Sequence, residues 1–438
     1  MTVSETEGIR VERAVGDDLE KGAHGGNMVS PVPHVVFVEM SGTGAGEQCL
    51  FYSAERGYPA TLLTRSPDRD DLPDVSVDVL GCETNDVAAV VQCVTALDAR
   101  HPVGGVTTTH DLYTPQAAAA AEALGLPGIR YDAVLGVRDK HRMRVRLAER
   151  CPHLNPPFRH VRSLDEALTV ADEWGFPFVA KPLDSNDSWC VERIDTYDAL
   201  VAYMDATERW ESVAPGVLLE GLLEGSEHTI DTVQHKGGPL QLMCATGKEM
   251  PPGRFFAEAN CFLPVEPELS ELLFREVATA LEALEIDCGA VHSECRVHEG
   301  EVKILEVNPR LGGDMLGSHM IEAAYGASPI EQVVEIALGH DAPWRPTRAQ
   351  GAALYGITVP SSGIFGGVRN LDEILRQEGV IGARVYASPG TECSFPPRSN
   401  GDFVGRVVAL GPTAEVALEW ARRAAGAADV VMLDAVTA

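Results

Sequence analysis

The sequence predicts an α/β protein of several domains, and three observations carry that reading. Residues 34–64 alternate strand, loop, helix and strand, residues 217–310 are mostly strand-like runs, and a helix with its own start signal, DEALTVADEW, precedes the apolar strand FPFVAK (176–181). With 438 residues, 45% hydrophobic and 23% charged, the chain can bury more than one core and is too apolar to be disordered. No stretch approaches the roughly 18 unbroken apolar residues of a membrane helix. Lys and Arg number 35 against 65 Asp and Glu, a net charge of −30, which repels nucleic acid and anionic lipid alike. The ten cysteines are scattered without a CxxC, and the N-terminus is acidic where a signal peptide is basic and then apolar. A reduced, soluble, cytoplasmic protein without nucleic-acid or membrane partners is expected.

Residues 1–33 carry charge, Gly and Pro without apolar periodicity and read as a tail. The N-terminal domain, 34–135, opens with HVVFVEM (34–40), the turn SGTGAGE, the helical run QCLFYSAERG (48–57) and the strand ATLLT (60–64). Gly42, Gly44 and Gly46 are spaced GxGxG, and no acidic residue ends the second strand, so a tight turn packing helix on strand is favoured over a dinucleotide site. GGVTTTHD (104–111) and PQAAAAAEALGLPG (115–128) complete an open α/β sheet. The segment 136–217 begins with the basic helix VRDKHRMRVRLAER (137–150), capped by Asp139, followed by the capping box Ser163-Leu164-Asp165-Glu166 and the loop PLDSNDSWC (182–190). Strands dominate 218–345, and 346–438 hold the Gly-rich strands GAALYGITV and GDFVGRVVAL before a closing helix, TAEVALEWARRAA.

The most informative stretch is VHSECRVH–EVKILEVN, two β-like runs flanking Gly300. A hairpin centred on Gly300 sets Glu294 opposite Glu306 and His292 opposite Asn308, with both carboxylates on one face. Like charges directly opposed destabilise a strand pair, so the pattern asks for a cation. Mg²⁺ fits, because it takes oxygen ligands from one or two carboxylates together with substrate phosphates, and Asn308 adds a carbonyl oxygen. The alternative is a solvated face on which Glu294 pairs with Arg296 or Lys303. Downstream, Arg310 precedes a Leu-Gly-Gly turn, and its planar fork suits phosphate oxygens; the alternative is that it neutralises Glu306. His292 is expected to make a structural hydrogen bond.

A metal–phosphate site needs a nucleotide pocket, yet GxxxxGK[ST] is absent: Gly247-Lys248 runs into Glu249. Lys140, at a helix start, and Lys181, at the end of a strand, are the candidate cations; the alternative for Lys181 is a side chain snorkelling off an edge strand. In LLEGLLEGSEHTIDTV (218–233), Leu222 and Leu223 can bracket a base and Glu227 can accept from ribose hydroxyls. Lys248, Arg254 and Glu258, in a loop rich in Pro and aromatics, either recognise a substrate carboxylate or amine or are solvated charges.

Taken together, Asp139-Lys140, Ala180-Lys181-Pro182, Glu220-Gly221-Leu222-Leu223 with Gly225-Ser226-Glu227, His292-Ser293-Glu294 and Leu305-Glu306-Val307-Asn308-Pro309-Arg310 resemble the ATP-grasp superfamily. Within it the chain is most similar to bacterial L-amino acid ligases. The resemblance implies an ATP-grasp fold: an N-terminal domain (34–135), a small lobe with a phosphate-covering loop (136–217), a large lobe with the Mg/ATP site (218–345) and a C-terminal α/β lid (346–438). It assigns Lys140, Lys181 and Ser188 to the phosphate side of ATP, Glu220, Gly221 and Leu223 to adenine, and Glu227 to ribose. It assigns Glu294, Glu306 and Asn308 to magnesium, with two ions expected. Arg310 is implied as the catalytic residue that stabilises the transferring phosphoryl group. Arg310, Gly312 and Gly313, with Lys248 and Glu258, would bind substrate.

The activity implied is an ATP- and Mg²⁺-dependent carboxylate–amine ligase joining two amino acids or similar metabolites through an acyl phosphate. Small-molecule carboxylate and amine substrates are the expected partners, and a homodimer is the default assembly. Two other readings stay open: loading of an amino acid onto a carrier protein, and a nucleotide-binding protein with weakened catalysis. The last arises because the covering loop, Asp184 to Val191, lacks the family's glycines and has Cys190 at the usual glycine position.

Overall fold

The computed structural model describes residues 32–40, 44–69, 72–184, 188–207, 209–210, 215–250 and 260–433. The expected tail lies almost wholly outside the described residues, and the compact body begins at Pro33. Strands β1 (His34–Val38), β2 (Ala60–Thr64), β3 (Asp78–Gly81) and β4 (Val103–Thr107) form a parallel sheet in the order β3-β2-β1-β4. Both β1 and β2 are buried throughout, which is why HVVFV and ATLLT run apolar without alternating. The helix Ala45–Arg56 joins them, completing the unit read from the sequence. A Cβ on Gly46 would come within 2.7 Å of Met40 Cβ, so this glycine packs helix against strand exit.

The second sheet is antiparallel, with β5 (Phe158–Val161), β6 (Phe178–Pro182), β7 (Glu192–Ile194) and β8 (Val217–Gly221) in the order β5-β8-β6-β7. Helices Leu164–Trp174 and Tyr197–Thr207 bury Ala167, Val170, Leu200 and Tyr203 against it. Ser163 caps the first of them, accepting from the Glu166 N–H at 3.2 Å. The Glu166 carboxylate reaches back to the Arg162 N–H, one residue earlier than a regular capping box requires. β6 is an inner strand and Lys181 is 7% exposed, which excludes the edge-strand reading of that lysine.

The third sheet spans most of the remaining chain. Its members come from β9 (Ser226–Gln234), β10 (Leu240–Glu249), β11 (Asn260–Leu263), β12 (Gly289–His298), β13 (Glu301–Asn308) and β14 (Gly351–Thr358). Then follow β15 (Gly363–Val368), β16 (Val380–Val385), β17 (Glu392–Cys393), β18 (Phe403–Gly411) and β19 (Val430–Leu433). Eight strands run antiparallel in the order β13-β12-β9-β10-β11-β14-β18-β16, while β15, β17 and β19 make a small separate sheet. The segment expected as a lid thus contributes β14, β16 and β18 to the same sheet as the hairpin, through the β11–β14 ladder. Helices Lys140–Arg150 and Pro267–Ala283 cover the hairpin end, where Met143, Leu147, Leu273, Val277, Ile304 and Val307 form one cluster. Asp139 caps the first of these helices, accepting from the Arg142 N–H at 3.0 Å. All ten cysteines are free thiols, and among the described residues no helix is long and apolar enough to cross a membrane.

Candidate active site

The β12–β13 hairpin turns on Glu299 and Gly300, both left-handed (φ 49° and 81°), the pairing a two-residue reverse turn needs. The turn is therefore centred between these residues and not on Gly300. Near it, Val297 opposes Val302 and Arg296 opposes Lys303. A bulge at Leu305 then shifts the register by one, so that Glu294 faces Glu306 and His292 faces Asn308. Both opposed pairs are those expected, reached by two departures from a uniform ladder that cancel. Were Leu305 instead paired with Glu294 in an unbroken ladder, Glu306 would oppose Ser293 and point to the other face of the sheet.

One cavity, open to solvent, is lined by Lys140, Lys181, Ser188, Glu220, Gly221, Leu223 and Glu227 together with Glu294 and Glu306. Its wall is a lattice of ion pairs. Lys140 Nζ lies 3.0 Å from Glu306 Oε1, Lys248 Nζ 3.2 Å from Glu294 Oε1 and 3.5 Å from Glu227 Oε1, and Lys181 Nζ 2.8 Å from Glu220 Oε2. Arg296 Nη2 meets Glu227 at 3.2 Å. The solvated-face reading of Glu294 therefore fails: its partner is Lys248, while Lys303 turns to Glu301 and the His153 carbonyl. Burial works against ionisation of Glu294, but Lys248 and His292 outweigh it and hold its carboxyl below the usual range. Glu220 is likewise opposed by burial and pulled down to about 2 by Arg144 and Lys181. Burial lowers Lys181, with Glu220 opposing.

Residues 53–128 match the ATP-grasp N-terminal domain, 174–318 the ATP-grasp domain and 356–432 the L-amino acid ligase C-terminal domain 2. The chain belongs to the ATP-grasp ligases. An uncharacterized protein, y4rH, of Sinorhizobium fredii is 24% identical over 365 residues, covering 82% of this chain and 74% of that one. The carbamoyl phosphate synthase large chain of Xanthomonas axonopodis pv. citri is 28% identical over 218 residues, 47% of this ligase and 20% of that protein. The crystal structure of L-amino acid ligase from Bacillus licheniformis shares the fold with a TM-score of 0.78 at 21% identity, covering 92% of this ligase and 99% of that chain.

Several of the expected site residues of this ATP-grasp ligase are engaged in contacts within the chain. Arg310 does not neutralise Glu306: its Nε is 3.4 Å from Asp111 Oδ1, and Nη1 donates to the Leu311 carbonyl at 2.7 Å. The Gly312 N–H, expected to face substrate, donates to Asp231 Oδ1 at 3.0 Å. Lys248, expected to recognise substrate, is tied to two carboxylates, Glu227 and Glu294, that line this cavity, and is nearly buried. The Gly221 N–H donates to the Pro157 carbonyl and the Leu223 carbonyl accepts from Arg296, so those two groups are engaged within the chain. Gly313 presents open space where a Cβ would stand. Asn308 is buried, two residues from Glu306 on the same face. Arg254 and Glu258 lie outside the described residues. In the covering loop, Ser188 and Cys190 both adopt left-handed backbone (φ 56° and 53°), the conformation a glycine would take most readily.

The ligase also relies on residues the sequence reading passed over. Arg144, 0% exposed, donates to Glu220 Oε1 at 2.6 Å and to the Ile304 and Leu305 carbonyls at 2.7 and 2.9 Å, so it holds the bulge that turns Glu306 inward. Asp231 accepts from Gly312 and, at 3.0 Å, from His292 Nδ1, which carries the proton because a carboxylate can only accept. Burial lowers the His292 pKa, but Asp231 and Glu294 raise it to about 9. Asp111, 7% exposed just beyond β4, joins Arg310 and Arg138. The signals were present as buried-type charges in apolar surroundings, but their partners are remote in sequence.

Proposed function

We propose that this protein is an ATP-dependent ligase that forms an amide bond between two amino acids or amino-acid-like metabolites, with release of ADP and phosphate. The observation that carries this reading is the opposed pair Glu294 and Glu306 sharing one cavity wall with Lys140 and Lys181. Four carboxylates of that wall, Glu220, Glu227, Glu294 and Glu306, meet three cations that line it, Lys140, Lys181 and Arg296, and two that pair with them from outside the lining, Arg144 and Lys248. Each of these carboxylates is thus matched by a cation, which lessens the repulsion that a triphosphate would meet in a chain of this overall charge.

Among the described residues, no cluster of three or more His, Cys, Asp or Glu is arranged to hold a metal alone. Two carboxylates and an amide oxygen are nevertheless the donor set Mg²⁺ accepts when phosphates complete its shell, so Glu294, Glu306 and Asn308 fit the ion. When bound, Mg²⁺ neutralises phosphate charge and fixes the γ-phosphate. Lys140 and Lys181 would hold phosphate oxygens, Leu222 and Leu223 the adenine, and Glu227 the ribose.

A substrate carboxylate oxygen attacks the γ-phosphorus, the bond from that phosphorus to the β–γ bridging oxygen breaks, and ADP leaves. The amine nitrogen then attacks the acyl carbon, the carbon–oxygen bond to phosphate breaks, and the amine gives up a proton. No protein nucleophile is required; positioning and charge stabilisation by Arg310 and the lysines supply the catalysis.

The test is incubation with ATP, Mg²⁺ and pools of amino acids, reading phosphate release and new masses. Amino-acid-dependent release with a mass equal to two substrates less water is expected; release independent of any amino acid would contradict the reading. Lys181→Ala is expected to raise KM for ATP at least about tenfold, the scale of one lost charged contact, and an unchanged KM would remove its assigned role.

A further inference from the structure

The covering loop, Asp184 to Val191, contains no glycine, and its last turn shows how the chain manages without one. Ser188 to Val191 form a reverse turn in which the Val191 N–H donates to the Ser188 carbonyl at 3.2 Å. Ser188 and Cys190 both stand in left-handed backbone. A residue with a Cβ adopts that form at a cost, and keeps it where its surroundings over-determine the conformation. Ser188 and Val191 line the same cavity as Lys140 and Lys181, so this side of the turn belongs to the site. The contacts that fix the turn lie elsewhere.

Trp189 packs on Trp210, with ring centroids 5.1 Å apart, and Trp210 meets Tyr203 edge-on at 5.5 Å. The Tyr203 hydroxyl donates to the Cys190 carbonyl at 2.7 Å. Tyr203 belongs to the helix Tyr197–Thr207, is buried, and shares with Trp210 the apolar cluster of the sheet β5-β8-β6-β7. A chain of three contacts therefore ties Trp189 and the Cys190 carbonyl to the body of the small lobe. Trp189 is itself 43% exposed, so burial in the core does not account for where its ring stands. Pairing with a second aromatic ring does.

We propose that Trp189, Trp210 and Tyr203 are positioning residues for ATP: they hold the turn in its left-handed form before the nucleotide arrives, so that Ser188 and Val191 already stand in the cavity wall. This rests on the reading of that cavity as a nucleotide site. A glycine loop is free in the empty protein and loses its conformational freedom when ATP binds, which weakens binding. An aromatic clamp loses that freedom on folding instead. Without the clamp the competent turn is only fractionally populated, and the apparent affinity for ATP falls by that fraction.

The experiment is calorimetric titration of the full chain with ATP and Mg²⁺, which needs no knowledge of the other substrates. Trp189→Ala and Trp210→Ala are each expected to raise Kd about tenfold, the scale of one lost aromatic pair. Trp189→Phe keeps a ring on Trp210 and is expected to stay within about twofold of the wild type. Because the two rings act as one unit, the double alanine variant is expected to bind no more weakly than the weaker single variant. Should Trp210→Ala fail to fold, Trp189→Ala and Trp189→Phe carry the test, since the Trp189 ring lies largely at the surface. An unchanged Kd in Trp189→Ala, equal losses in Trp189→Ala and Trp189→Phe, or additive losses in the double variant overturn the proposal while leaving the nucleotide reading intact. So does a tryptophan fluorescence change on adding ATP and Mg²⁺ to the wild type that disappears in Trp189→Phe, because the turn would then be ordered by the nucleotide. A wild type that does not bind ATP overturns both.

Discussion

Arg144 shows how much one buried side chain can organise. Its three donors span Glu220 and two carbonyls of the bulge, so it ties the strand under the adenine region to the strand carrying Glu306. Arg144→Ala would leave Glu220 with Lys181 alone and free the bulge; a loss of about 3–5 kcal/mol in urea unfolding is expected, as for other broken buried pairs. A change below about 1 kcal/mol would show that the bulge holds itself. The Glu220 carboxyl, at about 2 in the fold against an ordinary 4.5, has a definite pH signature. Its pairing contributes stability above about pH 4.5, and that contribution is lost as pH falls towards 2. Glu220→Gln should flatten the stability profile in that window; an unaltered slope would mean other carboxylates govern acid unfolding. None of this was legible in the sequence. Arg144 stands 160 residues from Ile304 and 76 from Glu220, and a basic helix segment does not announce which of its arginines turns inward.

At the scale of elements, the hairpin was readable and the covering loop was not. Alternation of period two around Gly300 was enough to pair Glu294 with Glu306, although the route involved a turn offset and a compensating bulge that alternation cannot reveal. Deleting Leu305 removes the bulge while leaving Glu306 opposite Glu294, so a folded protein that retains Mg²⁺-dependent turnover is expected; a folded variant without turnover would mean that the bulge itself shapes the cavity. In the covering loop, the absence of glycine left weakened catalysis open, yet Ser188 and Cys190 keep left-handed backbone with L side chains. That conformation costs a non-glycine residue roughly 1–2 kcal/mol. Cys190→Gly should therefore leave thermal stability equal or higher and not weaken ATP binding, and a fall in Tm of several degrees would show that the thiol packs to stabilising effect.

Across the whole molecule, the site draws on three of the four sheets. The sheet β5-β8-β6-β7 supplies Lys181 and Glu220, the eight-stranded sheet Glu227, Glu294 and Glu306, and the chain leaving the parallel sheet supplies Asp111 to Arg138 and Arg310. Fold class and the order of the motifs were visible in one sequence because local patterning determines them. The Asp111 contact was not, because it forms only when separate parts of the chain come together. Asp111→Asn keeps the shape but removes the charge between two guanidinium groups. A fall in kcat of about tenfold or more with little change in KM for ATP is expected, while unchanged kcat would detach Asp111 from the chemistry.

The proposed turnover presupposes that Glu294 and Glu306 hold a magnesium ion against the nucleotide. Equilibrium binding of ATP to wild type and Glu306→Gln, each with and without Mg²⁺ and at matched thermal stability, tests this most directly. Tighter binding with Mg²⁺ in the wild type and loss of that dependence in Glu306→Gln are the predicted result; a variant that binds ATP with undiminished Mg²⁺ dependence would contradict the assignment.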